Sequence, residues 1–153
     1  MNVCLKGAIC NLATVRVLIV DDYEPWRRTV HSILGQAKGF EVIFETSEGL
    51  EAVRKSAELQ PDVVLLDIGL PDLNGLEAAR QIRRVSPDSK IIFLTSHDRA
   101  DLAHEALRIG ASGFVIKSDA ARDLLRAVSS VMRDEEFAGN GFAHREQTKP
   151  CCC

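Results

Sequence analysis

Five short apolar runs recur along the chain, at 15–20 (VRVLIV), 40–45 (FEVIFE), 62–67 (DVVLLD), 90–95 (KIIFLT) and 112–117 (SGFVIK). They are rich in β-branched residues, and the first, third and fourth show little period-two alternation. That is the pattern of strands covered on both faces, as in a parallel sheet. The intervening segments repeat at helical spacing instead. Over 25–38, Pro25 suits the first helical position, Trp26, Val30, Ile33 and Leu34 form an apolar stripe, and Gly39 ends the run. The segment 48–60 carries Leu50, Val53, Ala57 and Leu59 and stops before Pro61, and 74–85 opens with Asn74 and Glu77 at capping-box spacing. The segment 98–109 opens at Asp98 and stops at Gly110, and 119–133 places Leu124, Leu125, Val128 and Met132 on one side with Ser118 as its cap. Strands alternating with helices predict a doubly wound α/β domain over 15–135, with helices on both faces of a five-stranded parallel sheet. Residues 1–14 are then an N-terminal extension and 136–153 a flexible C-terminal tail.

The 153 residues suffice for one domain with a core that needs no disulfide or metal to hold it. A formal net charge of −3 gives no basis for direct nucleic-acid binding. No apolar run approaches the roughly 20 residues that span a bilayer, so no membrane partner is expected. The opening MNVCLKGAICNLAT has Lys6 in its middle and reads as an extension rather than a secretion signal. Its two cysteines, Cys4 and Cys10, join only Cys151, Cys152 and Cys153 at the other end. A core without cysteine fits a reducing, cytoplasmic setting, and the terminal three are read as a chance terminus rather than a metal site.

In doubly wound folds, ligands bind outside the carboxyl ends of the strands. The first strand ends in Asp21 and Asp22, the third in Asp67, the fourth in Thr95 and the fifth in Lys117. Each alone has an ordinary explanation: a helix cap, a good β residue, a solvated ammonium. Their convergence on one rim does not. Three carboxylates together repel, and a hard divalent cation relieves the repulsion. Oxygen-only surroundings favour Mg²⁺, with Mn²⁺ as the alternative, over zinc. A carboxylate between such a cation and an ammonium is placed to attack phosphorus.

These residues match a family. From LIVDDYEP through VVLLDIGLPDLNGLEAAR and IIFLTSHD to GASGFVIKS, the chain resembles the receiver domain of two-component response regulators over about 120 of its 153 residues. The resemblance implies a flavodoxin-like (βα)5 fold with strand order 2-1-3-4-5. It implies that Asp67 accepts a phosphoryl group from a sensor histidine kinase or a histidine phosphotransfer protein. Asp22 is then the direct metal ligand, Asp21 acts through water, and the Gly69 carbonyl completes the protein's share of the metal shell. Thr95 and Lys117 clasp the phosphoryl group, and Phe114 is the switch aromatic. Pro71 and Gly75 shape the loop after the acceptor. The output is a downstream effector protein, with phosphorylation-dependent homodimerisation as one route. Such a protein is mainly a phospho-acceptor that catalyses its own phosphorylation and dephosphorylation.

Two details depart from the commonest family pattern. Ser118 follows the lysine where proline is usual, a variant similar to the subgroup that carries a C-terminal helix-turn-helix; a non-proline cis bond there costs about 2.5–4 kcal/mol. Gly69 and His97 occupy positions that modulate dephosphorylation in the family. Among other readings, a haloacid-dehalogenase-type phosphatase needs a second Asp where Gly69 stands. A flavodoxin-like cofactor binder needs a phosphate loop where DDYEP would repel phosphate. Residues after 135 are too few for a DNA-binding domain, so the chain reads as a stand-alone receiver, with a fragment of a longer transcription regulator as the alternative.

Overall fold

In the computed structural model, residues 14–96 and 100–138 are described. The predicted alternation is present: β1 (Val15–Val20), α1 (Glu24–Leu34), β2 (Phe40–Thr46), α2 (Gly49–Leu59), β3 (Val63–Asp67), α3 (Gly75–Val85), β4 (Lys90–Thr95), α4 (Ala100–Arg108), β5 (Gly113–Ile116) and α5 (Ala120–Met132). The sheet order is β2-β1-β3-β4-β5, extended at the β5 edge by a two-residue strand, β6 (Phe137–Ala138). Every pairing is parallel.

Side chains alternate across this sheet into two apolar layers. Val17, Ile19, Leu65, Leu94 and Val115 pack with Val30 and Ile33 of α1 and with Leu124, Val128 and Val131 of α5. Leu18, Val20, Leu66, Phe93 and Phe114 pack with Ala52 of α2, Ala78 and Ile82 of α3, and Ala103 and Ala106 of α4. Burial on both faces explains the near-continuous apolar runs. The switch in direction between β2-β1 and β1-β3 brings the carboxyl ends of β1 and β3 together at the point where such folds bind ligands.

Three expectations are corrected. The helix expected over 25–38 ends at Leu34, because Gln36 and Ala37 donate to the carbonyls of Ile33 and Leu34, tightening the chain into i→i+3 turns. Ser118 does not cap the last helix; Lys117–Asp119 form a 3-10 turn that leads directly into α5. The sheet has a sixth strand within the segment read as tail. The Asn74 side chain accepts the Glu77 N–H at 2.9 Å, as its spacing predicts. The Glu77 carboxylate, instead of reaching back to close a capping box, accepts from Arg80 and Gln81 one turn on. No cis peptide bond occurs among the described residues, so Lys117–Ser118 is trans.

Candidate functional site

β1 delivers Asp21 and Asp22 to the rim, and the Asp21 N–H is tied to the Thr46 carbonyl at the end of β2. β3 ends on Asp67 itself, β4 on Thr95, and the turn after β5 carries Lys117. The structure brings the three acids together: one carboxylate oxygen from each of Asp21, Asp22 and Asp67 lies within 4.8 Å of the others. Asp21 is only 1% exposed, Asp67 9%, and Asp22 faces solvent.

Lys117 reaches into this cluster. Its ammonium donates to Asp21 Oδ2 at 2.6 Å and stands 3.7 Å from Asp67 Oδ1. The other oxygen of Asp21 accepts the Tyr23 N–H at 2.9 Å, so both Asp21 oxygens are engaged. Asp67 Oδ1 accepts the Gly69 N–H at 3.3 Å. Burial pushes the Asp67 carboxyl above the ordinary carboxylate range; Lys117 pulls it down, while the Asp21 charge adds to the rise. Three carboxylates against one ammonium leave an excess of two negative charges.

That donor set fits a hard divalent cation. All the candidate ligands are oxygens, their excess charge matches a dication, and the exposed Asp22 leaves open space for retained waters. Thr95 is buried at the end of β4, in register with Ile116 of β5. Phe114 is fully buried in the layer that also holds Ala103 and Ala106 of α4. Gly69 is exposed, and a Cβ there would meet nothing within 4 Å, so the approach to Asp67 from that side is open. Gly75 is the opposite case: a Cβ would lie 2.4 Å from the Asp67 carbonyl oxygen and 2.6 Å from Ile68 Cα. His97 lies outside the described residues.

Two features escaped the sequence reading. A cleft of about 410 Å³ opens beside the acids, lined in part by Tyr23, Trp26, Ser96 and Lys117. Trp26, read as part of the α1 stripe, packs against the β1–α1–α5 layer and also presents its ring to the Lys117 ammonium, 5.3 Å from the centroid. The second is Asp72, in the loop after β3. Its carboxylate accepts the N–H groups of Gly49 and Leu50 at 3.1 and 3.4 Å and caps α2, whose own N-cap Glu48 makes no side-chain bond.

The match to known proteins follows the same elements. The response regulator receiver domain model matches residues 17–129. Response regulator protein VraR of Staphylococcus aureus is 36% identical over 122 residues, which are 80% of this chain and 58% of VraR. The chain thus spans little more than half the length of that relative. A LuxR-family two-component response regulator from Aurantimonas sp. SI85-9A1 superposes with a TM-score of 0.82 at 29% identity, over 90% of this chain and 100% of the other. The signal receiver domain of the putative response regulator NarL from Mycobacterium tuberculosis gives 0.74 at 27%, over 79% and 98%. No helix of the described residues is long and apolar enough to cross a membrane. With the family match running from β1 into α5 and the acids, hydroxyl and lysine converging at the strand ends, the chain belongs to the response regulator receiver domain family.

Proposed function

We propose that Asp67 accepts a phosphoryl group from the phosphohistidine of a sensor kinase or histidine phosphotransfer protein, in a Mg²⁺-dependent reaction. The observation that carries the reading is the clustering of the Asp67 carboxylate with Asp21 and Asp22, with the Lys117 ammonium 3.7 Å from Asp67 Oδ1. An oxygen of Asp67 attacks phosphorus, an O–P bond forms, the P–N bond breaks, and the imidazole of the donor leaves. Lys117 then turns from Asp21 to the phosphoryl oxygens, and the Thr95 hydroxyl donates to another of them.

Asp22, Asp67 and the Gly69 carbonyl would hold Mg²⁺ (or Mn²⁺) directly, with Asp21 acting through water because both its oxygens are engaged. The ion supplies charge neutralisation for the transferring group. Phosphorylation shifts an existing equilibrium between two states, carried by Thr95 and Phe114 to the face made by α4, β5 and α5. A downstream effector protein, or a second copy of the chain in a phosphorylation-dependent dimer, reads that face. The reading sets the protein in the cytoplasm beside the kinase domain that supplies it. It treats 15–135 as the receiver proper, with 1–14 and most of 136–153 outside it.

The test is incubation with acetyl phosphate and Mg²⁺, followed by intact-protein mass measurement. A gain of one phosphoryl group is expected, abolished in Asp67→Ala and by chelation. An undiminished gain in Asp67→Ala would overturn the assignment.

A further inference from the structure

We propose that Trp26 is a positioning residue for Lys117, using its ring face as a neutral cradle for the ammonium; this rests on the phosphoryl-acceptor reading of the site. The Lys117 ammonium stands 5.3 Å from the Trp26 ring centroid, in line with a cation–π contact, and both side chains line the cleft beside the acids. Trp26 is the chain's one tryptophan. Its indole N–H is enclosed and has no acceptor among the described residues. An enclosed donor without an acceptor is a cost that phenylalanine at the same place would avoid. What indole offers in return is its electron-rich face, the most favourable of the aromatic side chains for a cation.

The chemistry of the cluster explains why the cradle is neutral. Lysine is a point charge on a flexible four-carbon stem, and something must fix where it rests. Asp21 holds it at 2.6 Å, away from Asp67 at 3.7 Å. A further carboxylate would add negative charge to a site that already has an excess. It would also compete with the phosphoryl oxygens for the ammonium. The ring attracts the charge without accepting a strong directional hydrogen bond. The ammonium is therefore held over the cleft while its N–H bonds remain able to turn from Asp21 to an oxygen on Asp67.

The experiment compares wild type with Trp26→Leu, Trp26→Phe and Trp26→Tyr, in two readouts. In proton–carbon NMR, the Lys117 ε-methylene resonance is shifted upfield by the ring in wild type. It keeps part of that shift in Trp26→Phe and Trp26→Tyr and returns to the ordinary lysine position in Trp26→Leu. The rate constant for phosphorylation by acetyl phosphate falls about fivefold in Trp26→Leu, with the two aromatic variants between. If Trp26→Leu does not fold, Trp26→Met, whose unbranched side chain adapts to an irregular gap, serves in its place. A Lys117 resonance that is unshifted in wild type, or equally shifted in the aliphatic variant, overturns the proposal. So does an equal slowing of all three variants, which would mark Trp26 as a wall of the cleft and nothing more. If wild type accepts no phosphoryl group, the reading of the site has failed on its own. The NMR comparison then decides the Trp26–Lys117 contact independently.

Discussion

Lys117 gives its hydrogen bond to Asp21 rather than to Asp67, at 2.6 Å against 3.7 Å. In this state the mobile cation is stored on the most buried acid of the cluster, which is not the one proposed to react. Lys117→Met would leave the enclosed Asp21 without its ammonium partner, keeping the Tyr23 N–H bond at its other oxygen. Breaking a buried pair by removing one partner is strongly unfavourable, so a loss of about 3 kcal/mol is expected. Replacing both partners, as Lys117→Met with Asp21→Asn, should recover most of it. Urea denaturation of the two single variants and the double variant measures the coupling.

Gly69 and Gly75 flank the acceptor with opposite tolerances. Gly75→Ala forces a methyl group to within 2.4 Å of the Asp67 carbonyl oxygen and 2.6 Å of Ile68 Cα, both backbone atoms that move only with the acceptor loop. A destabilisation of about 1–3 kcal/mol is expected, with slowed phosphorylation because Asp67 is displaced. Gly69→Ala meets nothing within 4 Å and should change stability by less than about 0.5 kcal/mol. Thermal melts and the acetyl phosphate assay on the two variants check the contrast.

Asp72 gives the fold an acid-sensitive joint. Burial, the largest single influence, raises its carboxyl, but the backbone N–H groups of Gly49, Leu73, Leu50 and Asp72 itself together outweigh that and hold it below the ordinary range. A group whose pKa is depressed in the folded state contributes stability above its unfolded value. That contribution is lost as pH falls through the folded value. Asp72→Ala should therefore cost about 1 kcal/mol at neutral pH, at the scale of a helix cap. The difference from wild type should shrink below about pH 4. Asp72→Asn, which keeps an acceptor oxygen, should retain most of the stability. Denaturation curves at pH 7 and pH 3 distinguish these outcomes.

The residues that announce the site are legible in sequence because they stand where buried strands end, so Asp21, Asp22, Asp67, Thr95 and Lys117 could be found without coordinates. Features built across elements were hidden. Asp72 caps a helix that lies 22 residues before it, at Leu50, and no local pattern records such a bond. Trp26 satisfied the α1 periodicity, and that concealed the contact its ring makes with Lys117. The early end of α1 was missed because Gln36, Ala37 and Lys38 are all compatible with helix, and the tightening after Gly35 is a matter of hydrogen-bond geometry. β6 was missed because two residues carry no period. Only the exposed edge of β5 makes Phe137–Ala138 a strand.

That edge supports a final prediction. Phe137 donates its N–H to the Ser112 carbonyl at 3.0 Å, and its half-buried ring lies against the β1–α1–α5 layer with the Arg126 guanidinium 5.9 Å from its centroid. Lys90 and Asp134 form an ion pair that ties the approach to β6 back to the start of β4. Gly113 makes this close pairing feasible, since a Cβ there would stand 3.3 Å from the Phe137 carbonyl oxygen and 3.2 Å from Ile92 Cγ1. Phe137→Ala should lose about 1–2 kcal/mol, less than a fully buried phenylalanine because the ring is partly exposed. Amide exchange at residue 137 should rise toward that of an unpaired chain. Phosphorylation by acetyl phosphate should stay near the wild-type rate, because β6 pairs with Gly113 and Phe114 at the start of β5, whereas Lys117 follows its far end. A large loss of phosphorylation in Phe137→Ala would show instead that the edge strand and the acceptor site are coupled through β5.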